Sequence, residues 1–376
     1  MTGAASQGTV AASASEGERH VVNTHVHVPP NFSAFTSVED AVGFAAAAGV
    51  RALGVSNFHD VRVYRRFARA AEGVGIVPLF GVEFVSVLDG PMREGTRIND
   101  PANPGRMYLC GKGLDPFAEP TPPAAALAGA VRSADRLRME RMVPLLRDCF
   151  AAAGLETSLS AENIAEEVAE RADVPVDWVI LQERHVARAF QEALFLRIPP
   201  PLRPAVLALV YGGPAAASVD DAVAVQGEIR SRLVKAGRPA FVPESPVPFE
   251  DAYRLILEMD GIPCYPTLAD GADPVCPWEA PAAALAERLL ENGIFAAELI
   301  PERNDPTVVD EYVAAFQAAG IIVMAGTEHN TQQRIPMEPR CRDGSPPSAP
   351  ARAAFWEATC IAVSYTHLTL PTKRIV

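Results

Sequence analysis

Long apolar runs are missing from this 376-residue chain. None approaches the ~18–20 apolar residues that cross a bilayer as a helix, so no membrane association is expected. The first twenty residues are small and polar and lack the apolar stretch of a signal peptide. They read as a disordered tail of a cytoplasmic protein. Paired cysteine motifs are also missing. The six cysteines are scattered with no CxxC, which fits reduced thiols and no disulfide framework. Cys264 and Cys276 are expected to stay unpaired. Basic residues are outnumbered, 33 Lys and Arg against 46 Asp and Glu, for a net charge of −13. That balance disfavours nucleic acid as a partner while leaving room for a local basic pocket.

What is present is a core-forming composition, 49% hydrophobic and 21% charged, as in ordinary soluble domains. The length suits one large domain or two smaller ones. One segment stands apart. "VSYTHLTLPT", 363–372, reads as the one-frame translation of a sequencing adapter. The native reading then ends near Ala362, residues 363–376 are foreign, and His367 is no site candidate. Without Lys373 and Arg374 the balance is 31 basic to 46 acidic residues, or −15.

The chain alternates strand and helix signals from residue 21. "VVNTHV" is a β-branched strand, Ser37 caps a helix with Asp40 at its third position, and Gly49 ends it. "RALGVSN", a helix to Gly75, and the apolar strand "IVPLFGVEFVSV" follow. This rhythm predicts parallel α/β architecture. It breaks over 122–235, where long Ala/Leu/Arg/Glu segments predict an inserted helical subdomain, and it resumes over 236–335. The expected organisation is a tail (1–20), a barrel first part (21–121), the insertion (122–235), a barrel second part (236–335) and a C-terminal segment (336–362).

In such folds chemistry gathers at the C-terminal ends of strands. Seven histidines occur; setting His367 aside, four of the other six, His25, His27, His59 and His329, stand at such ends. His25 and His27 are one residue apart, so an extended strand points both to one face. Glu83 and Glu298 sit inside apolar strands, where a carboxylate needs a partner. Lys112 and Asp115 end the fourth strand, and Glu328 precedes His329. Imidazoles and carboxylates converging at one mouth make a metal site.

These motifs together resemble the polymerase and histidinol phosphatase superfamily of metal-dependent phosphoesterases. "THVH" matches its first HxH motif, "FGVEF" its Gly-x-Glu strand and "GTEHN" its final Gly-Ser-Asp-x-His. "LGVSNFHD" stands at its Thr-Asp-His, "GIPCYPTLADG" at its Ala-His-Pro, and "GIFAAELI" at the Gly-x-Glu strand after it. "QERHVARAF" is similar to a segment of members with a helical insertion. The similarity covers about residues 21–335.

The resemblance implies a distorted parallel β/α barrel of about seven strands. It implies one to three divalent ions (Zn, Mn, Fe or Mg) at the barrel mouth, held by His25, His27, His59, Glu83, Glu328 and His329. Glu83, His329 and Arg184 would carry catalysis. Lys112, Arg184, His185 and Arg303 would contact a small phosphorylated substrate. The implied reaction is hydrolysis of a phosphate ester by water that a metal activates. Three positions depart from the pattern. Asn57 replaces an acid, and Tyr108 and Tyr265 replace histidines; neutral phenols are poor ligands, with a reference pKa near 10. Two rival functions follow: a metal- or ligand-binding protein that has lost catalysis, and a metal-assisted carbonyl or sugar transformation.

Overall fold

The computed structural model describes residues 20–369. Eight strands form one sheet: β1 (Val21–Val26), β2 (Val50–Phe58), β3 (Val77–Val87), β4 (Arg106–Lys112), β5 (Val247–Pro248), β6 (Ile262–Thr267), β7 (Ala296–Leu299) and β8 (Ile322–Ala325). Seven of them run in the order β1-β2-β3-β4-β6-β7-β8, and the two-residue β5 pairs with β3 off this path. The ends nearly meet. Val26 bridges Glu328 in parallel, and the His27 amide donates to the Glu328 carbonyl at 2.8 Å. The expected distorted β/α barrel is what the chain forms.

Local chemistry explains the alternation. Ser37 accepts from the Asp40 amide at 3.0 Å and starts the helix Val38–Ala47, and Gly49, at φ 73°, turns the chain into β2. Helices Tyr64–Gly73, Phe249–Glu258, Ala282–Glu291 and Pro306–Ala318 bury one face each. That face and the β-branched strands build a common core.

One strand departs from the parallel rhythm. β4 runs antiparallel to both β3 and β6. The stretch between β3 and β4 carries a single six-residue helix, Asp89–Glu94. It is too short to recross the sheet, so the chain turns back beside β3 instead of crossing over. The consequence for the site is direct: the C-terminal end of β4 lies at the floor of the barrel, not at its mouth.

Residues 122–234 are helical apart from their connections, beginning with the 31-residue helix Pro122–Ala152. Side chains from Met139 to Val242 form a second hydrophobic core of their own. Among the described residues no single helix is long and apolar enough to cross a membrane. The last helix, Ala349–Thr369, runs on through 363–369, and Thr366 is buried. This part of the segment read as foreign therefore continues a helix that packs on the barrel; residues 370–376 lie outside the described ones.

Candidate metal centre

The pairing of β1 with β2 slips between Asn23 and Val26. Both Thr24 and His25 reach the Glu298 carboxylate on β7: Thr24 Oγ1 donates to Oε1 at 2.7 Å, and His25 Nδ1 lies 2.7 Å from Oε2. Lys112 Nζ donates to Oε1 at 2.7 Å, and also to the Thr24 carbonyl at 2.9 Å and Ser56 Oγ at 3.0 Å. Lys112 and Glu298 are both fully buried. Burial alone would raise the Glu298 carboxyl, but Lys112 and His25 reverse that and hold it at about 2. An ionised Glu298 takes the proton side of His25, at Nδ1. The lone pair then sits on Nε2, a buried atom with no hydrogen-bond partner among the described residues. An imidazole fixed in this way by a carboxylate behind it is the usual arrangement of a metal-ligating histidine.

His27 stands beside His25 with ring centroids 5.1 Å apart, and its Nε2 lies 3.5 Å from Glu83 Oε2. Burial, then the neighbouring His25, pushes the His27 pKa down to about 3, so the ring is neutral and able to ligate. Ligand atoms of His25, His27 and Glu83 all lie within 4.8 Å of one another. Two imidazoles and a carboxylate suit Zn, Mn or Fe. Burial, then the Glu328 carboxylate, raises Glu83 to about 8. Glu328 bonds Arg303 and Asn330, and Arg303 keeps it well below the usual carboxylate range despite its burial.

The centre opens into a cavity of about 360 Å³ that His27, Glu83, Glu328, Tyr108, Arg184 and Arg303 help to line. Arg184 comes from the helix Glu183–Arg197 of the insertion. It has no ion pair or hydrogen bond to any described residue. Phe32 and Phe58 contribute apolar wall.

Four expected site residues lie elsewhere. His329 does not converge on His25. Its Nδ1 pairs with Thr327 Oγ1 at 2.7 Å, its Nε2 with the Ile335 carbonyl at 3.0 Å, and its ring stacks on Phe35. Glu328 and His329 both adopt left-handed backbone, φ 58° and 51°. That turn sends Glu328 into the cavity and His329 away from it, at a typical cost of about 1–3 kcal/mol per residue. His59, with φ 56°, stacks on Phe58 and gives Nδ1 to Asp135 of the insertion at 2.6 Å. It is outside the ligand cluster. His185 accepts from the Gln182 amide at 3.0 Å, capping its own helix, and lines a separate cavity beside Pro29 and Pro30. Lys112, expected to meet substrate at a strand end, is inside the barrel because β4 runs antiparallel.

The substituted positions are also accounted for. Asn57 clamps the Val28 backbone through both its amide atoms, at 2.9 and 3.0 Å. Tyr265 donates to Glu279 at 2.9 Å. Tyr108 lines the cavity wall. Glu298 is a functional residue that the sequence expectations do not place at the centre, although its position as a carboxylate within an apolar strand is a signal for it. Asp135 gave no signal, since an acid on an amphipathic helix is ordinary.

Gly326 shows how closely β8 passes this centre. A Cβ there would lie 2.3 Å from the Cβ of His25. Gly326→Ala is therefore expected to displace His25 and weaken metal binding. Overpacking of this kind costs about 1–3 kcal/mol. Thermal melting and metal titration read the two effects.

No family model and no curated protein matches the chain. Solved structures do. A "putative metal-dependent phosphoesterase" from Bifidobacterium adolescentis aligns with TM-score 0.58 at 14% identity, over 90% of this chain and 96% of that one. An amidohydrolase from Chromobacterium violaceum, solved with sulfate and without metal, aligns with TM-score 0.57 at 15% identity, over 91% and 96%. At such identities the likeness is one of fold: over nine-tenths of its length the chain has the architecture of these two proteins, a distorted β/α barrel.

Proposed function

We propose that this protein is a metal-dependent hydrolase of a small phosphate ester. The observation that carries the reading is the cluster His25–His27–Glu83, with Nε2 of His25 freed by Glu298, at the floor of a cavity that also holds an unpaired arginine. His25 and His27 offer ring nitrogens and Glu83 offers a carboxylate; together they would hold a divalent ion. When bound, the ion would supply Lewis acidity and an acidified water. Glu298 and Lys112 fix the tautomer and direction of His25. Arg184 and Arg303 face the anionic part of the substrate and offset charge that grows on its oxygens. Phe32 and Phe58 narrow the cavity and limit water around the reacting group.

The two structural neighbours, one described as a "putative metal-dependent phosphoesterase" and the other as an amidohydrolase, support the coarser part of this reading, a metal-dependent hydrolase. A second reading, a metal- or ligand-binding protein without turnover, has one observation in its favour: His59, His329, Asn57 and Tyr265 are all engaged in protein hydrogen bonds instead of the centre.

The two readings part on turnover. Purified protein loaded with Mn²⁺ should hydrolyse p-nitrophenyl phosphate or bis-p-nitrophenyl phosphate and lose that activity to a chelator. Protein that retains Mn²⁺ and turns over neither ester favours the binding reading.

A further inference from the structure

We propose that this site holds a single divalent ion, at His25, His27 and Glu83, and that the Arg184 guanidinium, flanked by Arg303, stands in for a second cation against a phosphoryl group. The inference rests on the proposed function for the nature of the substrate, but its evidence is separate.

A second ion would need a second set of converging ligands, and among the described residues the groups of His, Cys, Asp and Glu able to share an ion all include His25. Both ring nitrogens of His329 are hydrogen-bonded, and its ring is packed on Phe35. His59 gives Nδ1 to Asp135 and, although its Nε2 has no partner, it belongs to no converging ligand group, and Asn57 is held by the Val28 backbone. Glu328 is in the cavity, but Arg303 and Asn330 already occupy the oxygen that both of them bond.

Positive charge is nevertheless present where a second ion would act. Arg184 and Arg303 line the same cavity as His27 and Glu83. The charge of Arg184 is felt at His27 and at Glu328. Arg303 is ion-paired with Glu328, whereas Arg184 has no direct ion pair among the described residues and feels Glu328 only at a distance. Burial, then the nearby Arg230, pulls the Arg184 pKa down to about 10. A largely buried guanidinium beside other guanidiniums and without a direct carboxylate partner is an arrangement that an incoming anion relieves. Its planar fork matches two oxygens of a phosphate at once.

The test uses the full chain. Protein saturated with Mn²⁺ and dialysed should retain one equivalent by elemental analysis. Inorganic phosphate should bind this form, measured by calorimetry. Arg184→Ala should keep its one Mn²⁺ and its melting temperature while binding phosphate at least tenfold more weakly, and Arg184→Lys should recover part of the loss. Retention of two or more Mn²⁺, retention of none, absence of phosphate binding by the loaded parent, or parent-like phosphate affinity in Arg184→Ala each overturns the inference. The hydrolase reading fails on different data. A parent that holds one Mn²⁺ and phosphate but cleaves no ester defeats that reading alone, and a parent that cleaves esters with two Mn²⁺ defeats this inference alone.

Discussion

Glu298→Gln is expected to cost both stability and metal. Lys112 and Glu298 are fully buried and bonded to each other at 2.7 Å. Removing the carboxylate charge leaves the Lys112 ammonium in the barrel interior without its counter-ion, a loss of about 3–5 kcal/mol for pairs of this type. It also removes the acceptor that keeps the His25 proton on Nδ1. Outer partners of ligating histidines are worth about 10–100-fold in metal affinity. The two losses can be separated. Lys112→Met combined with Glu298→Leu replaces the pair by apolar side chains and should recover much of the stability lost by Glu298→Gln. It should not recover metal affinity, because His25 still lacks its carboxylate. Denaturant melts and metal titration of the single and double variants measure this. Restoration of metal binding by the double substitution would show that Glu298 acts only by packing.

Glu83→Gln should abolish metal retention while making the metal-free protein more stable above pH 5. The carboxyl of Glu83 is raised to about 8 by burial and by Glu328, against about 4.3 for an unfolded chain. A raised carboxyl binds its proton more tightly when folded. Its contribution to stability is complete below about pH 4.3 and is lost as pH climbs toward 8. The metal-free parent should therefore weaken across that window, and the Gln variant, which has no proton to lose there, should not. A divalent ion must displace this proton, so parent metal affinity rises with pH up to about 8. Glu328→Gln is the comparison. Glu328 lies outside the three-residue cluster and pairs with Arg303, so its loss should weaken binding without abolishing it. Metal content after dialysis and melts at pH 5, 7 and 8.5 read the whole set. Full metal content in Glu83→Gln would reduce Glu83 to a structural carboxylate.

Much of this was legible in the chain because it depends on local period. Alternating strand and helix patterns place β1 to β3 and β6 to β8 without reference to contacts. The two-residue spacing of His25 and His27 places both rings on one face wherever the strand lies, and an acid at Glu83 within an apolar strand has to face something charged. Ser37 and Gly49 mark their helix ends through their own side chain and backbone freedom.

What tertiary structure alone decided are relations between distant residues. β4 is a strand by its own pattern, but its direction depends on whether the chain from Leu88 to Gly105 crosses the sheet or turns back, and that direction sends Lys112 to the interior. Glu298 and His25 meet only because β7 and β1 curve toward each other in a nearly closed barrel. Glu328 and His329 are neighbours in sequence, and a helix or strand pattern cannot say that two successive left-handed residues put one in the cavity and the other against Phe35. His59 is claimed by Asp135, which arrives from a helix 76 residues later. Sequence specifies which side chains are available. Pairing across the barrel selects which of them are free to bind an ion, because a buried polar atom takes the nearest partner the fold supplies.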